Sequence, residues 1–198
     1  MPVDLQALLE ESGALLRGHF VLTSGRHSDT YFEKFRVLER PDVLSALTAE
    51  AVGICQQKHP EIQMVAGPTT GGIIIAFEFG RQMGLPTIYV ETEDGKKTLR
   101  RGRTIPQGTK VLVVDDVLTT GTSLLETRTA IQEAGGEVVA YAVLIDRSPK
   151  TLELGLPTYA SFKADAEAFP SYAPEEVPDW LARFLLRSQE LESSCEFI

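Results

Sequence analysis

Hydrophobic and polar positions follow two rhythms in the middle of the chain, between about residues 61 and 147. Short apolar runs predict strands, and apolar positions repeated every three or four residues predict helices. The predicted strands are 64–66, 87–90, 110–114 and 138–145, and the predicted helices between them are about 72–83 and 122–134. Strands that alternate with helices of this length form βαβ units. The pattern therefore predicts an α/β domain with an open, mainly parallel sheet flanked by helices.

The two ends of the chain lack this alternation. Residues 3–16 carry leucines at helical spacings and are predicted to form an amphipathic helix, which Gly18 ends. Pro41 favours the first turn of a second helix, which is predicted to continue to about residue 57. Residues 158–162 are predicted to form an edge strand and residues near 174–190 a closing helix. We expect the two end segments to form a small cap over the sheet.

Composition narrows the class of protein. The chain has 198 residues, 43% of them hydrophobic, and a formal net charge of −9. This length fits one domain with a substantial core, so we expect a single domain over 1–198, with its core at about 40–147 and its cap at about 1–38 and part of 148–198. The acidic balance disfavours nucleic acid as a partner. The lack of a long apolar run disfavours a membrane, and two distant cysteines are typical of a cytoplasmic protein.

The most informative stretch is VLVVDDVLTTGTS, residues 111–123. An apolar strand leads into two acids, then into a turn rich in hydroxyl groups, then into a helix. Ligands of open α/β sheets lie beyond the carboxyl ends of the strands, where this turn falls. Its amides and hydroxyls, together with the positive end of the helix dipole, favour a phosphate monoester. The residues that we expect in this phosphate turn are Thr119, Thr120, Gly121, Thr122 and Ser123.

The acid pair, Asp115 and Asp116, requires a reason of its own. Neighbouring residues of a strand point to opposite faces, and a carboxylate buried without partners is costly. We therefore predict that the strand ends before the pair and opens to solvent there. Carboxylates beside a phosphate site are suited to accept hydrogen bonds from a ribose diol. The alternative is a solvated strand end followed by a plain helix-capping cluster, but the spacing of the whole stretch favours the ligand site.

Residues 111–123 resemble the phosphoribosyl-diphosphate (PRPP) motif of type I phosphoribosyltransferases. They contain neither the lysine of a Walker loop nor a GxGxxG pattern. The resemblance implies the fold of that family, with Asp115 and Asp116 as catalytic residues that hold the ribose hydroxyls. It also implies that Val117, Leu118 and the phosphate turn contact PRPP. Mg²⁺ is the implied cofactor, held mainly by PRPP oxygens and water rather than by a protein ligand that can be named.

Residues 67–72, with the sequence GPTTGG, follow the first strand of the predicted core. They resemble the loop with which the same family binds the diphosphate of PRPP. The resemblance assigns Thr69, Thr70, Gly71 and Gly72 to this diphosphate loop. One familiar version of the family has a lysine where Gly71 stands. Backbone amides must then do more of the diphosphate binding in this chain.

Residues 19–32, HFVLTSGRHSDTYF, place two aromatic residues after a polar turn. The amides and the arginine of the turn can meet a carboxylate, and the aromatic pair can offer a planar surface to a flat pyrimidine. The segment resembles the N-terminal signature of orotate phosphoribosyltransferases. The alternative is an exposed loop followed by core aromatics. The candidate contacts to the base are Ser24, Gly25, Arg26, Tyr31 and Phe32.

Arg147 ends the strand that follows the PRPP helix, so we expect it on the same sheet edge as the acid pair. An arginine there can bind a carboxylate through two parallel hydrogen bonds. The matching step of orotate phosphoribosyltransferases contacts the carboxylate of the base, and the resemblance also brings Thr119 into the orotate site. The alternative is a surface ion pair between Asp146 and Arg147.

Residues 91–103, ETEDGKKTLRRGR, fall where the family carries a mobile catalytic lid. The family's usual lid signature is absent, so no single catalytic lysine is assigned. A solvated β-hairpin is the alternative for this segment. In the family the lid serves the site of a neighbouring subunit, which implies a homodimer. The candidate catalytic cations are Lys96, Lys97, Arg100 and Arg101.

These resemblances together predict an enzyme that transfers the 5-phosphoribosyl group from PRPP to orotate, which gives orotidine 5′-monophosphate and diphosphate on the way to UMP. The small molecules PRPP and orotate are the expected partners. Two alternatives stay open. One is a phosphoribosyltransferase for another base, such as adenine, uracil or xanthine. The other is a regulator that binds PRPP without catalysis.

Overall fold

The structure is a computed structural model that describes residues 4–22, 24–100 and 102–184 and the backbone of 186–187. Two sheets and the helices around them account for the regular elements in these ranges. In chain order the elements are α1 (Leu5–Glu11), β1 (Leu15–Val21), β2 (His27–Phe32), α2 (Phe35–Leu38), α3 (Pro41–Lys58), β3 (Met64–Pro68), α4 (Gly71–Met83), β4 (Thr87–Glu93), β5 (Lys96–Thr98), β6 (Lys110–Leu118), α5 (Thr122–Glu133), β7 (Glu137–Asp146), β8 (Thr158–Lys163), β9 (Ser171–Tyr172), α6 (Asp179–Ala182) and β10 (Leu186–Arg187).

The main sheet has six strands in the order β5-β4-β3-β6-β7-β8. The five strands from β4 to β8 in this order are parallel, and β5 returns antiparallel to β4. The predicted α/β class and mainly parallel sheet are confirmed. Because β6 lies in the middle, its carboxyl end meets those of β3 and β7 at one edge of the sheet.

Helices cover both faces of the main sheet. α3 and α4 share one apolar core with Leu112, and α5 shares the other with Val113. Successive residues of β6 thus alternate between the two cores, and the apolar run at its start is buried on both faces as predicted. Within the described ranges, no helix is both long and apolar enough to cross a bilayer.

A second sheet, the cap sheet, joins both end segments in the order β10-β1-β2-β9. The predicted helix over 3–16 is wrong beyond Glu11, because the chain turns at Gly13 and Leu15 begins β1. Gly13 has a φ of +74°, a conformation that glycine adopts without steric cost, so it ends the helix ahead of Gly18. Residue 3 of that prediction lies outside the described residues. The predicted domain limits stay a prediction.

The C-terminal segment differs from its prediction in part. β8 lies at the edge of the main sheet, so the predicted edge strand is confirmed. The closing helix predicted near 174–190 is wrong in its described part, which holds a 3₁₀ turn (Pro174–Glu176), the short α6 and β10. Pro178 lies between the turn and α6 with an extended ψ of 146°, and it has no N–H with which to continue a helix. Residues 185 and 188–190 of the prediction lie outside the described residues.

Candidate active site

The acid pair lies within β6 rather than after it. β6 continues to Leu118 and stays paired with β7 on the way, so that Asp115 stands opposite Val143. The prediction that the strand ends before the acids is wrong, because the long β7 supplies hydrogen-bonding partners past them. The two carboxylates therefore leave the strand on opposite faces. Asp115 is only 7% exposed, and the side chain of Asp116 is 17% exposed.

Asp115 is buried, and several partners compensate for the loss of water around its carboxylate. Burial raises the pKa of its carboxyl group, and the charge of Asp116 raises it further. A hydrogen bond from Ser123, the backbone N–H of Asp116 at 2.9 Å and the nearby charge of Lys97 act in the opposite direction. The cost of burying this carboxylate is thus offset by partners, which include the first turn of α5.

Asp116 binds the cap segment directly. Its Oδ1 accepts a hydrogen bond from the backbone N–H of Val117 at 2.6 Å, and its Oδ2 lies 2.9 Å from the ammonium of Lys34. Lys34 occupies the N-cap position of α2, two residues after β2. No motif in the sequence points to Lys34. Its one sequence signal is its place just after the aromatic pair of the orotate signature.

Lys97 is the lid candidate that lies near the acids. Its ammonium donates to the carbonyl of Ser123 at 2.9 Å, to the hydroxyl of the same residue and to Thr127 Oγ1 at 3.3 Å. The side chain is 10% exposed, and burial lowers its pKa, against the charges of Asp115 and Glu126. Lys97 therefore packs on α5 of its own chain and approaches Asp115 through Ser123.

The rest of the predicted lid lies farther from the acid pair. Residues 87–98 form the β4–β5 hairpin, and the predicted role of the segment as a catalytic lid stays a prediction. Lys96 forms an exposed ion pair with Glu133 at 2.9 Å, and Arg100 forms one with Glu93 at 3.2 Å. Arg101 lies outside the described residues. The catalytic roles of all four cations stay predictions.

The phosphate turn has the geometry that a small anion needs. Gly121 caps α5 with a φ of +79°, and a Cβ added to it would lie 2.4 Å from Cδ2 of Leu154. Thr119 and Thr120 are exposed, and the hydroxyls of Thr120 and Thr122 lie 3.0 Å apart. The turn therefore presents hydroxyls and the free amides of a twelve-residue helix at the carboxyl end of β6.

The diphosphate loop is wound so tightly that only glycine fits at two of its positions. A Cβ on Gly67 would lie 2.2 Å from the carbonyl oxygen of Gly72, and one on Gly72 would lie 2.5 Å from Pro68. Gly71 begins α4, and its Cβ position is 3.1 Å from Oδ2 of Asp116. Thr69 and Thr70 are exposed. The loop and the acid pair, which are far apart in sequence, thus meet at one sheet edge.

Arg147 lies beside the same edge. Its backbone N–H donates to the carbonyl of Leu118 at 2.9 Å, and its guanidinium lies over the ring of Phe32, 5.4 Å from the ring centroid. Burial lowers the pKa of Arg147, against the nearby charge of Asp29. Asp146 accepts hydrogen bonds from Ser148 instead, so the surface pair with Arg147 does not form.

The two aromatic residues of the orotate signature have different surroundings. Phe32 is 6% exposed and packs against the rings of Phe162 and Phe169, so that it supports Arg147 from within the core. Tyr31 is half-buried and stacks on Phe20 with the ring centroids 5.5 Å apart. The core alternative thus describes Phe32. The predicted contact of both rings with a base stays a prediction.

The polar turn of the same segment is held to the C-terminal part of the chain. Arg26 donates to the hydroxyl of Ser171 at 3.0 Å and to the carbonyl of the same residue. Ser24 and Gly25 are exposed in the turn, where Gly25 has a φ of +77°. The turn therefore lies where β2 and β9 meet, and the N–H of Gly25 donates to the carbonyl of Leu22 at 2.8 Å.

The residues present fit magnesium as a substrate-bound ion. Within the described ranges, no group of three or more His, Cys, Asp or Glu side chains is placed to hold a metal. The acid pair supplies two carboxylates, and the more exposed one is Asp116. Mg²⁺ prefers oxygen ligands and keeps several waters, so one or two carboxylates beside a phosphate-rich substrate suit it.

Comparison with known proteins agrees with this geometry. Residues 36–171 match the family model described as phosphoribosyl transferase domain, which defines the class of the protein. An orotate phosphoribosyltransferase of Pelotomaculum thermopropionicum is 42% identical over 88% of this chain and 90% of its own length. One of Novosphingobium aromaticivorans is 47% identical over 86% of this chain and 87% of its own. The chain belongs to the orotate phosphoribosyltransferase family.

A solved structure shows the same relationship. The crystal structure of orotate phosphoribosyltransferase from Aeropyrum pernix superposes with a TM-score of 0.71 at 31% identity, over 81% of this chain and 93% of the other. An adenine phosphoribosyltransferase structure superposes with a TM-score of 0.61 at 16% identity, which shows the fold alone. The fold and the family predicted from the sequence are confirmed. The roles of individual site residues stay predictions.

Proposed function

We propose that the chain transfers the 5-phosphoribosyl group of PRPP to orotate and releases diphosphate. The observation that carries this proposal is the position of Arg147 directly beside the phosphate turn, fixed by its backbone hydrogen bond to Leu118 at 2.9 Å. A half-buried guanidinium there favours a base that carries a carboxylate. Orotate has such a carboxylate, whereas adenine and uracil have none.

We expect PRPP to bind the site in one orientation. The 5′-phosphate would lie at the phosphate turn, where the first amides of α5 have no partner within the helix. The diphosphate would lie along 67–72, at the start of α4. The ribose would lie between these two loops, where Asp116 can accept hydrogen bonds from its hydroxyls. Each charged part of PRPP thus meets a matching group of the chain.

The reaction breaks the bond between C1 of the ribose and a diphosphate oxygen, whose electron pair leaves with the diphosphate. A new bond forms between C1 and a ring nitrogen of orotate. Displacement at a sugar carbon of this kind passes through an oxocarbenium-like state. The carboxylates of the acid pair lie where they can stabilise the positive charge of that state. Orotate reacts as an anion at its ring nitrogen, so the chain does not have to supply a strong base.

The carboxylate of orotate would bind Arg147 through two parallel hydrogen bonds. The ring of Phe32 beneath the guanidinium, at 5.4 Å, holds its plane in one orientation. Since burial has already removed part of the water around Arg147, the carboxylate would meet a donor that is poorly solvated. This arrangement favours a base that carries a carboxylate over a flat aromatic base that has none.

Three further parts of the proposal concern the setting of the enzyme. Magnesium bound to PRPP would neutralise part of the diphosphate charge, and Asp116, the more exposed acid, is the residue that would hold the ion on the protein side. A homodimer is supported by the exposed side chains of Ile74 and Phe77 on α4, the latter 62% exposed. Cytoplasmic location is supported by the small number of cysteines, two in the whole sequence and far apart in the chain.

Diphosphate release tests the proposal when orotate, uracil and adenine are offered in parallel with PRPP and Mg²⁺. We expect release with orotate and at least about a hundred-fold less with the two other bases, because only orotate engages Arg147. Faster release with uracil or adenine would overturn the specificity. Binding of PRPP without release for any base would instead favour a PRPP-binding regulator.

A further inference from the structure

The diphosphate loop carries no charge of its own. Residues 67–72 are glycine, proline and threonine, so no lysine or arginine of the loop can meet the diphosphate. The packing leaves little room to add one, since a Cβ on Gly71 would lie 3.1 Å from Oδ2 of Asp116 and 3.2 Å from Cδ1 of Leu38. Apart from Mg²⁺ bound to PRPP, any cation that meets a multiply charged diphosphate here has to come from elsewhere in the chain.

Lys34 supplies that cation from the cap segment. Its ammonium lies 2.9 Å from Oδ2 of Asp116, the same oxygen that borders the Cβ position of Gly71. One carboxylate oxygen therefore separates the ammonium from the start of the diphosphate loop. The side chain of Lys34 is 35% exposed, so a ligand in solvent can approach it while it holds Asp116.

The backbone around Lys34 is fixed against the loop. Lys34 is the N-cap residue of α2, and the last two residues of that helix, Val37 and Leu38, are buried in the main core. Leu38 is the residue whose Cδ1 faces Gly71. The ammonium of Lys34 lies over the ring of Phe35, with its Nζ 5.5 Å from the ring centroid. The ammonium thus reaches the loop from a rigid base, with freedom only in its own stem.

We propose that Lys34 binds the diphosphate group of PRPP and stabilises the negative charge that develops on it as the C1–oxygen bond breaks. This inference rests on the proposed function. An ammonium has three donors, so it can keep its bond to Asp116 and donate to a diphosphate oxygen at the same time. No proton moves: the electron pair of the broken bond stays on the diphosphate oxygen, and Lys34 remains an ammonium throughout.

Lys97 does not fill the same role. Its ammonium is already bound to the carbonyl and the hydroxyl of Ser123. It is also more deeply buried than Lys34, and the charge of Asp115 acts on it more strongly than that of Asp116. The two lysines therefore serve the two faces of β6. Lys34 is the one that shares its face with the diphosphate loop.

Binding of two fragments of PRPP tests the proposal directly. Inorganic diphosphate and ribose 5-phosphate are titrated separately, with Mg²⁺ present, into the wild type and the Lys34→Ala and Lys34→Gln variants. We expect both variants to bind diphosphate at least about ten-fold more weakly and ribose 5-phosphate within about two-fold of the wild type. Lys34→Arg, which keeps the charge, should retain most of the diphosphate affinity. Arg36→Ala is the matched control, because it removes an exposed positive charge from the same helix, and it should change neither affinity.

Two results would overturn the proposal. Unchanged diphosphate affinity in the variants would mean that Lys34 does not contact the diphosphate. Equal losses for diphosphate and ribose 5-phosphate would mean that Lys34 only keeps Asp116 in place. Circular dichroism of each variant checks that it is folded, and Lys34→Gln serves if the alanine variant is not. Orotate-dependent turnover of the wild type is measured in the same preparations, so that failure of the proposed function is seen separately from failure of the Lys34 contact.

Discussion

Replacement of Arg147 by alanine is expected to remove the orotate contact and leave PRPP binding intact. The guanidinium is half-buried and rests on Phe32, and Asp146 is engaged elsewhere by Ser148. A carboxylate that binds it would therefore gain hydrogen bonds to a poorly solvated charge, each of which contributes about 1.5–3 kcal/mol. We expect kcat/KM for orotate to fall by about 10²–10³, which corresponds to about 2.7–4 kcal/mol. Steady-state kinetics with each substrate varied in turn measure this loss.

The controls separate recognition from folding. Arg147→Lys keeps the charge but not the two parallel donors, so we expect it to fall between the wild type and Arg147→Ala. Arg40→Ala removes an exposed arginine paired with Asp42 at 2.7 Å and should leave both KM values within about two-fold. Loss of the contact with Phe32 should lower the unfolding free energy by no more than about 1 kcal/mol. Equal increases in the KM values of orotate and PRPP would refute the assigned role of Arg147.

Three further predictions concern the frame of the site. Gly121→Ala puts a Cβ 2.4 Å from Leu154 at a φ of +79°, so we expect it to raise the KM for PRPP and to lower the stability measured by urea unfolding. A second change, Leu154→Ala, removes the clash but not the backbone strain. It should therefore restore only about half of the lost stability. Mixing the Lys97→Ala and Asp115→Asn variants should restore no activity, because both side chains lie at the N-terminus of α5 in one chain. Recovered turnover would show instead that Lys97 acts on the site of a neighbouring subunit. Hydrogen bonds from the guanidinium of Arg81, one helical turn after Glu78, lower the pKa of Glu78 to about 2. The contribution of Glu78 to stability is therefore present above the ordinary pKa of a glutamate and is lost as the pH falls toward 2. Glu78→Gln should therefore cost about 1–3 kcal/mol at pH 7 and much less near pH 2, and an equal cost at both pH values would contradict this explanation.

Local chemistry was sufficient to predict the core of the fold. Apolar periodicity and short turns predict the starts of α3, α4 and α5 to within about one residue of the observed ones. The signal is clear because each of these helices begins at a proline or next to a glycine. The phosphate turn follows from the same kind of signal, since Gly121 must adopt a positive φ between a strand and a helix. Features of this kind depend on a few neighbouring residues, and these are visible in the sequence.

Features that depend on distant partners were not predictable. The end of β6 is set by the length of β7, so nothing within the stretch itself shows that the strand continues past Asp116 to Leu118. The start of β1 depends on its pairing with β2, although the leucines near it also suit a helix. The contact between Lys34 and Asp116 joins residues far apart in the chain. Only the packing of the cap segment against the sheet edge brings them together.

The course of β6 through the acid pair divides the work between the two carboxylates. Because they leave the strand on opposite faces, the two carboxylates meet different groups of the chain. Asp115 is the more buried of the two and is bound to the first turn of α5 through Ser123, so we expect it to hold the phosphate turn in place. Asp116 faces the diphosphate loop and forms an ion pair with Lys34, so we expect it to accept hydrogen bonds from the ribose. Each acid thus has a lysine from a different part of the chain, and both negative charges are balanced before a substrate with the same sign of charge enters the site.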